Sequence, residues 1–200
     1  APYTVSDEPL KQIRTLADEL ELNIHMHIHE IAFEVDNAEQ KTGLRPLARL
    51  NKLGLLGPAL QAVHMTQLRD DEITLLASTG CNVVHCPQSN MKLASGICPV
   101  SRLLAENINV ALGTDSSSSN NDLDMFEEML MAALLAKHGT KDPTAAPAAA
   151  VLEMATLGGA RALGMEADLG SLEVGKRADL VVVSLDAPRL RPLYDPVSHL

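Results

Sequence analysis

The sequence predicts an α/β fold built on a parallel sheet of four βα units, and three observations carry that prediction. Short apolar strands alternate with helical stripes over roughly the first 137 residues, the rhythm of right-handed βαβ crossovers. A residue suited to chemistry stands at the C-terminal end of each strand: His27 and Glu30, then His64, then His85, then Asp115. In parallel α/β barrels that is the face on which active sites are built. Four units cannot close an eight-stranded barrel and would leave two bare edges. The chain therefore reads as half of a barrel whose other half must be supplied.

Each element has its own signal. Ser6, followed by Asp7, Glu8 and Pro9, starts a helix with a capping hydroxyl, acids at the positive end of the dipole and a first-turn proline. Leu10, Ile13, Leu16, Ala17 and Leu20 continue it at helical spacing. The stretch from Asn23 to Glu30 is a strand that alternates apolar residues with His25, His27 and His29, which then share one face. The polar stretch Glu34 to Thr42 has no decisive pattern, and Arg45 to Leu53 resumes a helical stripe ending near Gly54. Strands follow at Leu60 to His64, Asn82 to His85 and Asn109 to Leu112, with helices at Asp70 to Ala77 and Pro99 to Glu106. A longer helix, capped by Asn120 or Asn121, begins near Asp122. A connector, Gly139 to Ala150, leads to a helix of about Ala148 to Leu163, stopped by Gly164. The tail from Gly170 to Val183 reads as a turn-rich lead into a buried β-branched strand.

Composition narrows the function. With 46% hydrophobic residues over 200 positions the chain can bury one sizeable core, and charges interrupt every apolar run before it reaches membrane-spanning length. A formal charge of −10 without a basic cluster argues against nucleic acid or an anionic membrane as partner. Aromatic residues at 2%, with no Trp, leave few platforms for stacking bases. Small-molecule chemistry is the better expectation. Cys81, Cys86 and Cys98 lack paired metal or redox spacing, so buried thiols in a reducing, cytoplasmic compartment are expected. The opening Ala1-Pro2-Tyr3-Thr4 has no features of a secretory signal and reads like a chain cut from something longer.

A single strand histidine is usually structural; three at period two, ending on Glu30, point to a site. Imidazole ligates zinc or another divalent ion, and a carboxylate three residues on can stand beside an activated water without ligating. HxxE alone is weak. Asp115, directly after an apolar strand, could close the same metal site. His64 could be a ligand or a donor to the developing charge. His85 opens a polar loop with Ser89, Asn90 and Lys92, either pocket wall or solvated turn.

The strings His27-Ile28-His29-Glu30, Ala62-Val63-His64, His85-Cys86-Pro87-Gln88-Ser89-Asn90 and Gly113-Thr114-Asp115 with Ser119-Asn120-Asn121-Asp122-Leu123-Asp124-Met125 resemble the amidohydrolase superfamily. Within it, the resemblance is to the 5-methylthioadenosine/S-adenosylhomocysteine deaminases, alongside the chlorohydrolases of the same branch. It covers essentially the whole chain, and Gly175-Lys176-Arg177-Ala178-Asp179-Leu180 resembles the family's closing segment. The resemblance implies the C-terminal half of a (β/α)8 TIM-type barrel, strands five to eight, in residues 1–165, and part of a composite β-sandwich in 166–200. It implies one divalent metal ion, zinc first, with iron, manganese or nickel as alternatives. His27 and Asp115 become metal ligands, Glu30 the proton shuttle, His64 the residue that orients the attacking hydroxide, and Glu30, His85 and Asn90 substrate contacts. His25 and His29 stay outside the site. Ser116 and Ile31 depart from the family's usual glycine and threonine, and the first-strand HxH ligands are absent.

The implied reaction is hydrolytic deamination of an adenine-type nucleoside, with the fragment inactive alone and the N-terminal half of the same enzyme as its partner. A homo-oligomer is left open. One rival is another heterocycle hydrolase, of the guanine deaminase or triazine chlorohydrolase type. The other is a non-catalytic truncated fragment.

Overall fold

The computed structural model describes residues 1–200. In chain order the elements are α1 (Asp7–Glu19), β1 (Ile24–Ile28), α2 (Ala32–Thr42), α3 (Pro46–Lys52), β2 (Leu60–His64), α4 (Asp70–Thr79), β3 (Asn82–His85), α5 (Pro87–Lys92), α6 (Val100–Ala105), β4 (Val110–Leu112), α7 (Met125–Thr140), α8 (Ala148–Ala155), α9 (Leu157–Ala162) and α10 (Pro196–His199). The four strands form one sheet in the order β1-β2-β3-β4, and every pairing is parallel. Ile28 pairs with His64, and His85 with Leu112, so the strand ends that carry chemistry lie side by side.

The sheet separates two faces. Ile24, Met26, Ile28, Leu60, Ala62, Val83, Val110 and Leu112 pack with the helices in one large core. On the opposite face Val63, Val84, Cys86 and Ala111 form a smaller cluster with Ala162 of α9. At the N-terminal ends of the strands a polar row crosses that second face. His25 Nδ1 lies 2.7 Å from Gln61 Oε1, and Asn109 donates to Asn82 at 2.8 Å. Gln61 and Asn109 also donate to the carbonyls of Ala162 and Gly158, which ties α9 across the row.

Several expectations are corrected. The polar stretch Glu34 to Thr42 is helical, closed by Gly43 in the left-handed conformation. Ser89, Asn90 and Lys92 lie in α5, not in a loop: Pro87 fixes the first-turn φ, and the Gln88 N–H is satisfied by the Glu128 carboxylate at 3.2 Å. The cap of α7 is Asp124, which accepts from the Phe126 N–H at 2.8 Å, because Asn120 is used inside the fold. The helix expected over 148–163 breaks at Thr156 into α8 and α9. The β-branched run near Val181 is not a buried strand: Val181 is 80% and Val182 88% exposed, with no neighbouring strand to complete its hydrogen bonds. Past it, Pro188–Leu190 forms a 3-10 turn, and α10 packs against α8.

The approach of α9 to β4 depends on Gly158. A Cβ there would stand 2.7 Å from the Val110 carbonyl oxygen and 3.1 Å from that of Glu153, both backbone atoms that cannot swing away. Gly158→Ala is expected to cost about 1–3 kcal/mol, read as a lower urea midpoint. Gly159→Ala meets nothing within 4 Å and serves as the control, neutral or slightly stabilising.

Candidate metal centre and active site

The site is made where the strands stop being strands. In β1 the apolar residues are buried while His25 and His27 project from the other face. Continued alternation would place His29 beside them. Instead His29 adopts φ +56°, and its ring turns into the interior. There Nε2 accepts from the Leu47 N–H at 3.3 Å and lies 3.7 Å from Glu72, which Arg45 pairs at 2.8 Å. The shared face of three histidines is thus corrected to two.

His64 shows the converse. Its register partner is Ile28, a core residue, so alternation would send His64 into the core as well. Positive φ at His64 (+78°) and Met65 (+51°) reverses the order. Met65 enters the core, and the His64 ring comes to 5.0 Å, centroid to centroid, from His27. Asp115, φ +58°, completes the group. One ligand atom from each of His27, His64 and Asp115 lies within 4.8 Å of the others. Glu30 Oε2 is 3.9 Å from His64 Nε2.

The donor set fits a divalent cation of borderline softness, two imidazoles and a carboxylate. Burial, reinforced by His64, holds His27 below the ordinary histidine range, and a neutral ring is the ligating form. His64 Nε2 is buried with no protein partner, the condition of a nitrogen held for something else. Burial alone would raise the Asp115 pKa. The hydroxyls of Ser89, at 2.6 Å, and Ser119, at 2.9 Å, outweigh it and hold the carboxyl below its usual range. Both hydroxyls bond Oδ2.

Two buried carboxylates hold the strand ends from behind. Glu34 of α2 accepts from the backbone N–H groups of His29 at 3.3 Å and Glu30 at 2.9 Å. Glu128 of α7 accepts from the Gln88 N–H and from the Asn120 amide, and Asn120 donates in turn to the Thr114 carbonyl at 2.8 Å. Burial pushes both carboxyls up from their ordinary values. Thr66 Oγ1 donates to the Glu30 carbonyl at 2.6 Å and joins the end of β1 to β2.

The profile described as the amidohydrolase family matches residues 1–199. This chain belongs to the amidohydrolase family. It is 48% identical over 200 residues to a 5-methylthioadenosine/S-adenosylhomocysteine deaminase of Teredinibacter turnerae, covering 100% of this chain and 45% of that protein. It is similar to the crystal structure of an adenosine deaminase from Xanthomonas campestris with bound zinc, at TM-score 0.97 and 54% identity, over 98% of this chain and 45% of that one. A zinc complex of an atrazine chlorohydrolase from Arthrobacter aurescens matches at TM-score 0.89 and 27% identity, over 96% of this chain and 42% of that one. The chain spans about half the length of the relatives it matches.

Within this amidohydrolase chain, His27, Glu30, His64 and Asp115 converge, and His85 and Asn90 lie buried behind them. His85 is 1% exposed, neither ring nitrogen has a protein partner, and it pairs in register with Leu112 of the main core. Asn90, also 1% exposed, faces Nδ1 of His64 at 2.9 Å. Glu34, Glu128, Thr66 and Ser119 escaped sequence reasoning as functional supports. Ser119 lay inside a string singled out for its resemblance, but nothing in the order of residues marks Glu34 or Glu128 as buried.

Burial, with Arg45 close by, lowers His29 to about 4, and burial with His64 close by lowers His85 to about 3. Both values lie below that of an unfolded histidine, so in acid the unfolded chain takes up more protons than the folded one. The stability they contribute is complete above about pH 6.5 and is lost as the pH falls toward 4 and then 3. Urea midpoints measured from pH 7 downward are expected to fall across that window, and His85→Asn to flatten the decline.

Proposed function

We propose that this chain is the C-terminal half of a (β/α)8 barrel, β1 to β4 serving as barrel strands five to eight, in a metal-dependent hydrolase that deaminates adenine-type nucleosides. 5-Methylthioadenosine and S-adenosylhomocysteine are the substrates of choice. The observation that carries this reading is the convergence of His27, His64 and Asp115 within 4.8 Å, beside Glu30, at the carboxyl ends of parallel strands. Residues 1–165 supply the barrel half. Residues 166–200 belong to a composite β-sandwich, a reading supported by the exposed apolar run Leu180 to Val183, which has no partner strand in this chain. The partner is the N-terminal half of the same enzyme, which brings the remaining metal ligands and most substrate contacts. Three free, buried thiols fit a cytoplasmic setting, and no helix is long and apolar enough to cross a membrane.

His27 and Asp115 would hold the ion, zinc before iron, manganese or nickel. When bound, such an ion supplies Lewis-acid activation of water near neutral pH. The chain's own residues do the rest. Glu30 takes one proton from the attacking water and delivers it to the ring nitrogen next to the amine-bearing carbon. Asp115, with Oδ2 engaged by Ser89 and Ser119, takes the second proton and passes it to the departing amine. His64, beside them, accepts from the attacking water through Nε2 and orients it toward the amine-bearing carbon. Water adds, ammonia leaves, and the ring keeps the oxygen.

The 200-residue chain alone is expected to bind zinc weakly and to release no ammonia. Stoichiometric tight zinc with turnover in that chain would overturn the half-enzyme reading. Reassembled with the N-terminal half, it is expected to release ammonia from methylthioadenosine and adenosylhomocysteine in preference to guanine, and no chloride from triazines. Turnover of guanine or a chlorotriazine, with none of the adenine nucleosides, would transfer the site to the other heterocycle class. In the assembled enzyme, Glu30→Gln is expected to lower kcat by about 10²–10⁴-fold while zinc content stays unchanged.

A further inference from the structure

We propose that Asn90 is a positioning residue that sets the tautomer of His64, holding the proton on Nδ1 so that Nε2 meets the site as a lone pair. The Asn90 amide oxygen lies 2.9 Å from His64 Nδ1. An amide oxygen only accepts, so the ring nitrogen must donate. A neutral ring with its proton on Nδ1 has none on Nε2. That second nitrogen is buried without a protein partner and lies among His27, Asp115 and Glu30. As a lone pair it can ligate a cation or accept from water. Protonated, it could do neither.

The arrangement is built to hold. His64 is 0% and Asn90 1% exposed, so no solvent competes for the bond. Asn90 sits on α5, and its neighbours fasten that helix on three sides. The Gln88 N–H bonds Glu128 at 3.2 Å, Ser89 Oγ bonds Asp115 at 2.6 Å, and the Ser95 N–H bonds the Asn90 carbonyl at 2.8 Å. Adjacent side chains of one short helix therefore orient functional groups from two different strands: Ser89 the carboxylate of Asp115, Asn90 the imidazole of His64.

The consequence for catalysis rests on the metal-centre reading above, but the tautomer does not, and it is measured without metal or substrate. Long-range 1H–15N correlation spectra of the metal-free 200-residue chain at about pH 8, above the ordinary histidine range, report which ring nitrogen carries the proton. His64→Gln assigns the resonance. The wild-type ring is expected in the Nδ1–H form. Asn90→Asp, which offers an acceptor in the same place, should retain that form, and Asn90→Leu should shift the ring toward Nε2–H. A wild-type ring protonated on Nε2, the result if the Asn90 amide were turned to donate, would overturn the proposal. So would an Asn90→Leu ring as fully Nδ1-protonated as wild type. If Asn90→Leu does not fold, the wild-type and Asn90→Asp spectra decide. A failed tautomer leaves the deaminase reading standing, and a failed deaminase assay leaves the tautomer result intact.

Discussion

At the carboxyl ends of β1, β2 and β4 the backbone enters the left-handed region on residues that carry side chains: His29, then His64 with Met65, then Asp115. The rest of the site depends on this constraint. A strand presents alternate residues to opposite faces, and unbroken alternation would send His64 into the core and His29 out of it. The reversals exchange them. They are conformations disfavoured by about 1–3 kcal/mol each and persist only where the surroundings impose them. Here the surroundings are specific: the Glu34 carboxylate on the amides after β1, Thr66 bridging β1 to β2, and two serine hydroxyls on Asp115.

Those supports come largely from helices. Glu34 on α2 and Glu128 on α7 are buried acids that reach back to strand ends, and each satisfies backbone or amide donors that would otherwise be stranded. Packing of the helices on the sheet therefore does two tasks at once. It buries the apolar face of Ile24, Met26, Leu60, Val83 and Val110, and it carries the carboxylates that shape the site. At the opposite strand ends the His25, Gln61, Asn82 and Asn109 row anchors α9, so a histidine suggestive of chemistry has a structural post.

The sheet remains open. β1 and β4 are its edges, and on β1 the face bearing His25 and His27 is exposed, whereas β2, β3 and β4 are buried on both faces. This asymmetry agrees with a chain that spans about half the length of its relatives. The three-residue donor set is one short of a closed zinc centre, which takes four protein ligands in tetrahedral geometry.

The residue order by itself determined the α/β class, the four parallel strands and the list His27, Glu30, His64 and Asp115. Periodicity, breakers and residue chemistry are local, and local signals survive in a linear string. It also carried the amidohydrolase resemblance that the family match bears out. Tertiary structure alone decided which of these side chains meet. It took His29 out of the histidine face, brought His64 in, and buried His85 and Asn90. It turned the loop at Ser89 into a helix and left the Val181 run exposed, because a helix start needs its orphan donors satisfied and a strand needs a neighbour. Each of these outcomes hangs on a partner far away in sequence, Glu128 for α5 and Glu72 for His29, and on backbone angles that no alternation rule contains.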